Sequence, residues 1–358
     1  MNHGNNLRHR IPRIMALVLS ACLAPGAQHP REPQSRQLVS LRDMVGPSDK
    51  LATQDLHFDW SFAQLAIAYL QSPDSHVLEQ LANSPAATHT LNHARHFDYD
   101  VPKDSAAALV SHLLTPASKH LEKIGACQRS IAFFSGSMLN DPHWVEDSLR
   151  YLPVDFHFRG TLFLTFGYDI GVALSPDASL NCAHPHFKER PRELIYYAIH
   201  ELHHVGFMSY HPPPRVSELK TCGDLLGLVE YSTQLEGMAV LAAYQRRREE
   251  HALADDADYV ALQDEPRMRR ETASYFKDVS YLQTCANQAA DANAWAVIER
   301  MSSGERLWYR VGARMAQRIE QAAGRAKLLD LVEQGPASFI ATYQLVESPA
   351  RKSLATVP

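Results

Sequence analysis

The sequence has no long run of lysine or arginine, and its 35 basic residues are outnumbered by 40 acidic ones, for a formal net charge of -5. Binding to nucleic acid needs a basic footprint that neutralises phosphates, so that class of partner is set aside. There is no internal repeat of the kind that builds solenoids or propellers, and no low-complexity tract beyond the first fifty or so residues. Cysteines number only five, and their spacing lacks the pattern of a structural zinc cluster. Nor is apolar content scarce. With 45% apolar and 21% charged residues, the 358-residue chain has the balance of an ordinary globular protein and enough length to bury a sizeable core.

The apolar run from Ile14 to Ala21 is too short to span a bilayer, and Arg8, Arg10 and Arg13 precede it, which is the layout of a secretory signal. Its end, Leu19-Ser20-Ala21-Cys22, resembles the lipobox of bacterial lipoproteins. That resemblance implies a signal peptide over 1–21 and a lipid-bearing first residue at Cys22. An ordinary signal cleaved after Ala27 is the alternative. Both readings imply export. The lipoprotein reading adds an anchor at the cell envelope, and Leu23 in place of Asp points to the outer membrane, facing the periplasm or the exterior. Pro25, Pro30, Pro33 and Pro47 predict a flexible tether over 22–50. Cys127, Cys182, Cys222 and Cys285 are an even set suited to one or two disulfides in an oxidising compartment, with the pairing left open.

Apolar residues at three- and four-residue steps, such as Phe62, Leu65, Ala66, Tyr69 and Leu70, predict a helical region over 51–150. Between Phe156 and Leu174, Leu162, Leu164 and Phe166 alternate with Phe163 and Thr165, which predicts one or two strands with a turn or bulge at Gly167 and Gly171. Pro191 opens a helix expected to stop at Gly206, and Asp224 is expected to cap a second helix from Leu225 to about Glu250. A third helix spans Leu307 to Ala323, with Gly324 as its stop. The fold class is α+β and mainly helical, with the region that carries the chemistry at 151–346 and a tail at 347–358.

That chemistry centres on His200-Glu201-Leu202-His203-His204. Residues four apart on a helix are turned about 40° from one another, so His200 and His204 can aim two imidazoles at one metal ion. Glu201 lies about 100° round from His200, beside the ion without ligating it, where it can act as a general base. Leu194, Ile195, Tyr196, Ile199, Leu202 and Val205 would bury the other faces of the helix. An exposed His-rich helix without metal is the bland reading. His203 is assigned a wall or supporting role. His184, His186 and His211 could line the cleft but read more simply as surface histidines.

A catalytic zinc needs a third protein ligand and an open position. The pattern H-E-x-x-H-x-x-G-x-x-H fails here, because Phe207 stands where glycine should be, Tyr210 stands where the third histidine should be, and Gly206 falls one place early. A glutamate from a second helix is the other solution. Glu236, with Gly237 beside it, is the first candidate and Glu230 the second.

The segments Tyr196 to Phe207 and Leu235 to Tyr244 resemble gluzincin metallopeptidases, in particular uncharacterised bacterial families of zinc-dependent peptidases. The match rests on His-Glu-Leu-His-His-Val-Gly-Phe and on Glu236-Gly237-Met238-Ala239, and it covers roughly residues 150 to 345. It implies a zincin-like domain with a small sheet beside the motif helix, one zinc ion on His200, His204 and Glu236, Glu201 as base, and a peptide or protein substrate. Tyr309, in Tyr309-Arg310-Val311-Gly312, looks like the tyrosine that donates to the oxyanion in such enzymes, although it reads more simply as a core tyrosine with a satisfied hydroxyl. The resemblance also implies a sheet edge for substrate within Gly167 to Asn181. The rivals are a zinc hydrolase of esters or cell-wall amides and a zinc-binding lipoprotein without turnover.

Overall fold

The computed structural model describes residues 38–115 and 120–348. The signal segment, Cys22, most of the expected tether and nearly all of the tail lie outside them.

Five strands form one mixed sheet in the order β1-β2-β3-β5-β4. They are β1 (Leu38–Ser40), β2 (Asp55–Asp59), β3 (Arg159–Thr165), β4 (Gly171–Leu174) and β5 (Asp177–Asn181). The central strands β2, β3 and β5 run parallel, and β1 and β4 pair antiparallel on the two edges. Helices α1 (Leu41–Met44), α2 (Ser61–Gln71), α3 (Ser75–Ala82), α4 (Pro85–His96), α5 (Ala106–Leu114), α6 (His120–Phe133) and α7 (Val145–Leu149) precede or bridge the first strands. After the sheet come α8 (Pro185–Lys188), α9 (Glu193–Tyr210), α10 (Cys222–Glu249), α11 (Ala257–Gln263), α12 (Glu265–Thr284), α13 (Ala292–Glu299), α14 (Leu307–Ala323), α15 (Arg325–Gln334) and α16 (Pro336–Glu347).

The α+β, mainly helical expectation is met, with four corrections in detail. The expected tether does not extend over 38–50, because Leu38–Ser40 pairs with β2 and Leu41 is fully buried in the core. The region 51–150 is not helical throughout, since β2 lies in it and pairs with β3, so one sheet and one apolar core cross the expected boundary at 150. Helix α9 runs past Gly206 to Tyr210 and stops only where Pro212 follows. A Cβ on Gly206 would fall 2.2 Å from Leu152, so this glycine serves close packing rather than termination. Finally, the cap of α10 is Thr221, whose hydroxyl accepts from the Asp224 amide while the Asp224 carboxylate accepts from the Thr221 amide.

Two disulfides, Cys127–Cys182 and Cys222–Cys285, tie α6 to the end of β5 and the start of α10 to the end of α12. Helix α9 packs against β4 and β5, α10 packs against α9, and α14 packs against α10. Helix α9 is apolar on nearly every face and is buried accordingly. Helices α10 and α14 cross at two facing glycines, and a Cβ on Gly237 would stand 2.2 Å from the Gly312 carbonyl carbon.

Candidate metal centre

Helix α9 delivers His200 and His204 one turn apart, and α10 returns antiparallel to bring Glu236 opposite them. The Nε2 atoms of His200 and His204 are each 3.1 Å from the same Glu236 oxygen, Oε2. One nitrogen or oxygen atom from each of the three lies within 4.8 Å of the others. Without an ion, two imidazoles would crowd onto a single carboxylate oxygen. A divalent cation at the point of convergence satisfies all three, and two imidazole nitrogens with one carboxylate are a donor set for zinc that leaves a position open. Burial alone would raise the Glu236 carboxyl, but the neighbouring His204 and His200 outweigh it and hold that group well below the usual carboxylate range.

Glu201 points beside this group and not into it. Its carboxylate lies against Gly171 of β4, where a Cβ would come within 2.6 Å of Oε1, so only glycine leaves room for it at that strand position. Burial pushes the Glu201 carboxyl up to about 8, opposed by His204 and assisted by Glu236 and Asp169. A carboxylate destabilised in this way is a ready proton acceptor. Tyr309 on α14 is half-buried, with its ring 6.5 Å from that of His200 and nearly parallel to it. Burial, then the Glu236 charge, raises the phenol well above its ordinary value, so it stays protonated as a donor.

The other sequence candidates lie elsewhere. Glu230 is outside the convergent set, although it shares α10. His203 is fully buried, and neither ring nitrogen has a hydrogen-bond partner among the described residues; burial pushes it down to about 3. His184 caps α8, His186 bonds Glu193 at 2.9 Å and His211 bonds the Val332 carbonyl at 2.6 Å.

The structure also brings up residues that sequence reasoning missed. Tyr99 donates to Asp169 at 3.0 Å, and His93 is 2.7 Å from the Tyr168 hydroxyl. His89 reaches the Val172 carbonyl of β4 at 3.4 Å. These contacts dock α4 and the turn after it onto the β3–β4 loop next to Glu201. The charges of Asp169 and Arg306 act on the metal group, Asp169 on Glu201 and Arg306 on His200. The one visible signal was the spacing of His89, His93 and His96, which puts three imidazoles on one face of a helix. Nothing local marks Tyr99 or Asp169.

No match is found among the curated proteins or among the solved structures. A family model does match, over residues 89–347, beginning at the helix that docks onto the site and ending with the last helix of the bundle. The chain belongs to the family described as "Putative zinc dependent peptidase (DUF5700)".

Proposed function

We propose that the protein is a zinc-dependent peptidase of the gluzincin type with a zincin-like fold, in which His200, His204 and Glu236 hold one zinc ion. The observation that carries this reading is the approach of two Nε2 atoms to one oxygen of Glu236, each at 3.1 Å. When bound, zinc supplies Lewis acidity, polarising the scissile carbonyl and making water nucleophilic near neutral pH. Glu201 would take the proton of the attacking water and pass it to the departing amine, a role that its position beside the convergent group and against Gly171 allows. The Tyr309 phenol donates a hydrogen bond where negative charge develops in the transition state. Strand β4 is an edge strand beside Glu201, and an extended peptide can add to it as a further strand.

Location follows from chemistry of another kind. Two disulfides suit folding in an oxidising compartment, which supports export and, with the lipobox-like run ending at Cys22, a lipid anchor at the cell envelope. Digestion of a peptide library with and without chelator tests the activity. Glu201→Gln is expected to keep its zinc and lose turnover by more than a hundredfold, within the usual range for a general base, whereas His204→Ala loses both. Wild-type turnover in Glu201→Gln would refute the mechanism.

A further inference from the structure

Arg306 is one of three non-glycine residues with positive φ among the described residues, at φ 52, and it lies immediately before α14. Such a backbone is costly for an L-residue and persists where its surroundings hold it in place. Here they do. The guanidinium lies 3.8 Å from the centre of the Tyr309 ring, and Nε and Nη2 face Asp258 Oδ2 at 2.9 and 2.8 Å. The Nη1 end has no hydrogen-bond partner among the described residues, and the side chain is only half-buried.

The charges beyond Asp258 form a chain. Asp258 Oδ1 accepts from Arg310 at 2.7 Å, Arg310 reaches Glu271 at 3.2 Å, and Arg267 bonds that same Glu271 oxygen at 2.7 Å. Three guanidiniums thus share two carboxylates, and the excess positive charge has one end at Arg306, beside the metal group. The carboxylates of the cleft do not neutralise it through contact. Glu236 is engaged by two imidazoles, and Asp169 by Tyr99 and the Ile170 amide. The Arg306 guanidinium lies over Tyr309, whose ring is 6.5 Å from that of His200, which places it beside the convergent histidines and Glu236.

We propose that Arg306 determines specificity: the open Nη1 edge of its guanidinium receives a carboxylate of the substrate, so the preferred peptides present a carboxylate close to the bond that is cut. A planar fork, already oriented by Asp258 and Tyr309, loses little freedom on binding a second carboxylate. The carboxylate is either the free C-terminus of a short peptide or an acidic side chain. This rests on the peptidase reading above.

The test is calorimetric binding of acetyl-trialanine, its C-terminal amide, and acetyl-alanyl-glutamyl-alanine amide to the zinc-loaded full chain carrying Glu201→Gln, with and without Arg306→Gln or Arg306→Lys. The free acid or the glutamyl peptide should bind at least tenfold more tightly than the neutral amide, about 1.4 kcal/mol, and whichever does so identifies the source of the carboxylate. Arg306→Gln should abolish that ratio and Arg306→Lys restore part of it, with zinc content and circular dichroism verifying the fold. Equal affinity for the three peptides, no binding of any of them, or an undiminished ratio in Arg306→Gln would overturn the proposal. Chelator-sensitive cleavage by the wild type without a carboxylate preference would overturn it while leaving the peptidase reading intact; carboxylate-selective binding without cleavage would do the reverse.

Discussion

The crossing of α10 and α14 at Gly237 and Gly312 fixes the distance between Glu236 and Tyr309, and a single methyl group tests it. In Gly237→Ala the new Cβ would stand 2.2 Å from the Gly312 carbonyl carbon, 2.4 Å from its Cα and 2.6 Å from the Ala313 nitrogen. Carbon contacts are comfortable at about 3.5–4.0 Å, so the two helices must separate by roughly 1.3 Å or more. All three atoms are backbone, and no side-chain rotation relieves them. Overpacking of this kind costs about 1–3 kcal/mol, against a gain of about 1 kcal/mol from replacing glycine by alanine inside a helix. Gly227 provides the internal control, because it lies on the same helix and a Cβ there meets nothing within 4 Å. Urea unfolding of the chelated protein should show Gly227→Ala neutral or stabilised by up to about 1 kcal/mol, and Gly237→Ala less stable than Gly227→Ala by about 1–3 kcal/mol. Competition titration should also show weaker zinc binding in Gly237→Ala alone. Equal stability and equal zinc affinity in the two variants would refute the argument that this crossing positions the site.

Two further expectations concern the scaffold. Arg247 is buried between the rings of Tyr196 and Tyr259 and bonds both Glu193 oxygens, at 2.9 and 2.6 Å, clamping the start of α9 to the end of α10. Arg247→Met leaves the buried Glu193 carboxylate without its guanidinium partner and with His186 still bonded to it, and should cost about 3–5 kcal/mol in urea unfolding. Burial alone would raise the Glu193 carboxyl, but hydrogen bonds from His186 and Arg247 hold it below its ordinary value. Its contribution is therefore complete above the unfolded-state value near 4.5 and is lost as pH falls through the lower folded value. The wild type should lose stability on acidification through that window, and a curve for Arg247→Met just as steep would count against the clamp. The Cys222–Cys285 disulfide closes a segment of sequence separation 63, so Cys222→Ala with Cys285→Ala should lower stability by about 4 kcal/mol on the chain-entropy model; denaturation with and without reductant checks this.

The convergence of His200 and His204 was legible because it is written in local spacing. Two histidines four apart share a helix face in any fold; the glycine after Glu236 suggests a close approach to the histidine helix, whereas it meets Gly312 of α14. The end of α14 at Gly324 was equally local, since that residue has φ +81. What escaped depends on partners distant in sequence. Strand β2 is five residues long in a stretch otherwise helical, and only its pairing with β3, a hundred residues on, makes it a strand. Gly206 looked like a helix stop because a glycine required by a neighbouring Leu152 is indistinguishable, in sequence, from one required by a turn. Asp224 looked like the cap of α10, and its carboxylate does take part, but from the third helical position of a capping box whose first residue is Thr221. Tyr99 and Asp169 meet across 70 residues, and no pattern in the chain joins them.

The claim on which everything turns is that three side chains hold one ion. Metal analysis of purified wild type and Glu236→Ala, equilibrated with trace zinc and checked for fold by circular dichroism, addresses it directly. One zinc per wild-type chain is expected, and its loss, or at least a tenfold weaker affinity, in Glu236→Ala. A folded wild type that binds no zinc, or a Glu236→Ala protein that retains zinc as tightly as the wild type, would contradict it.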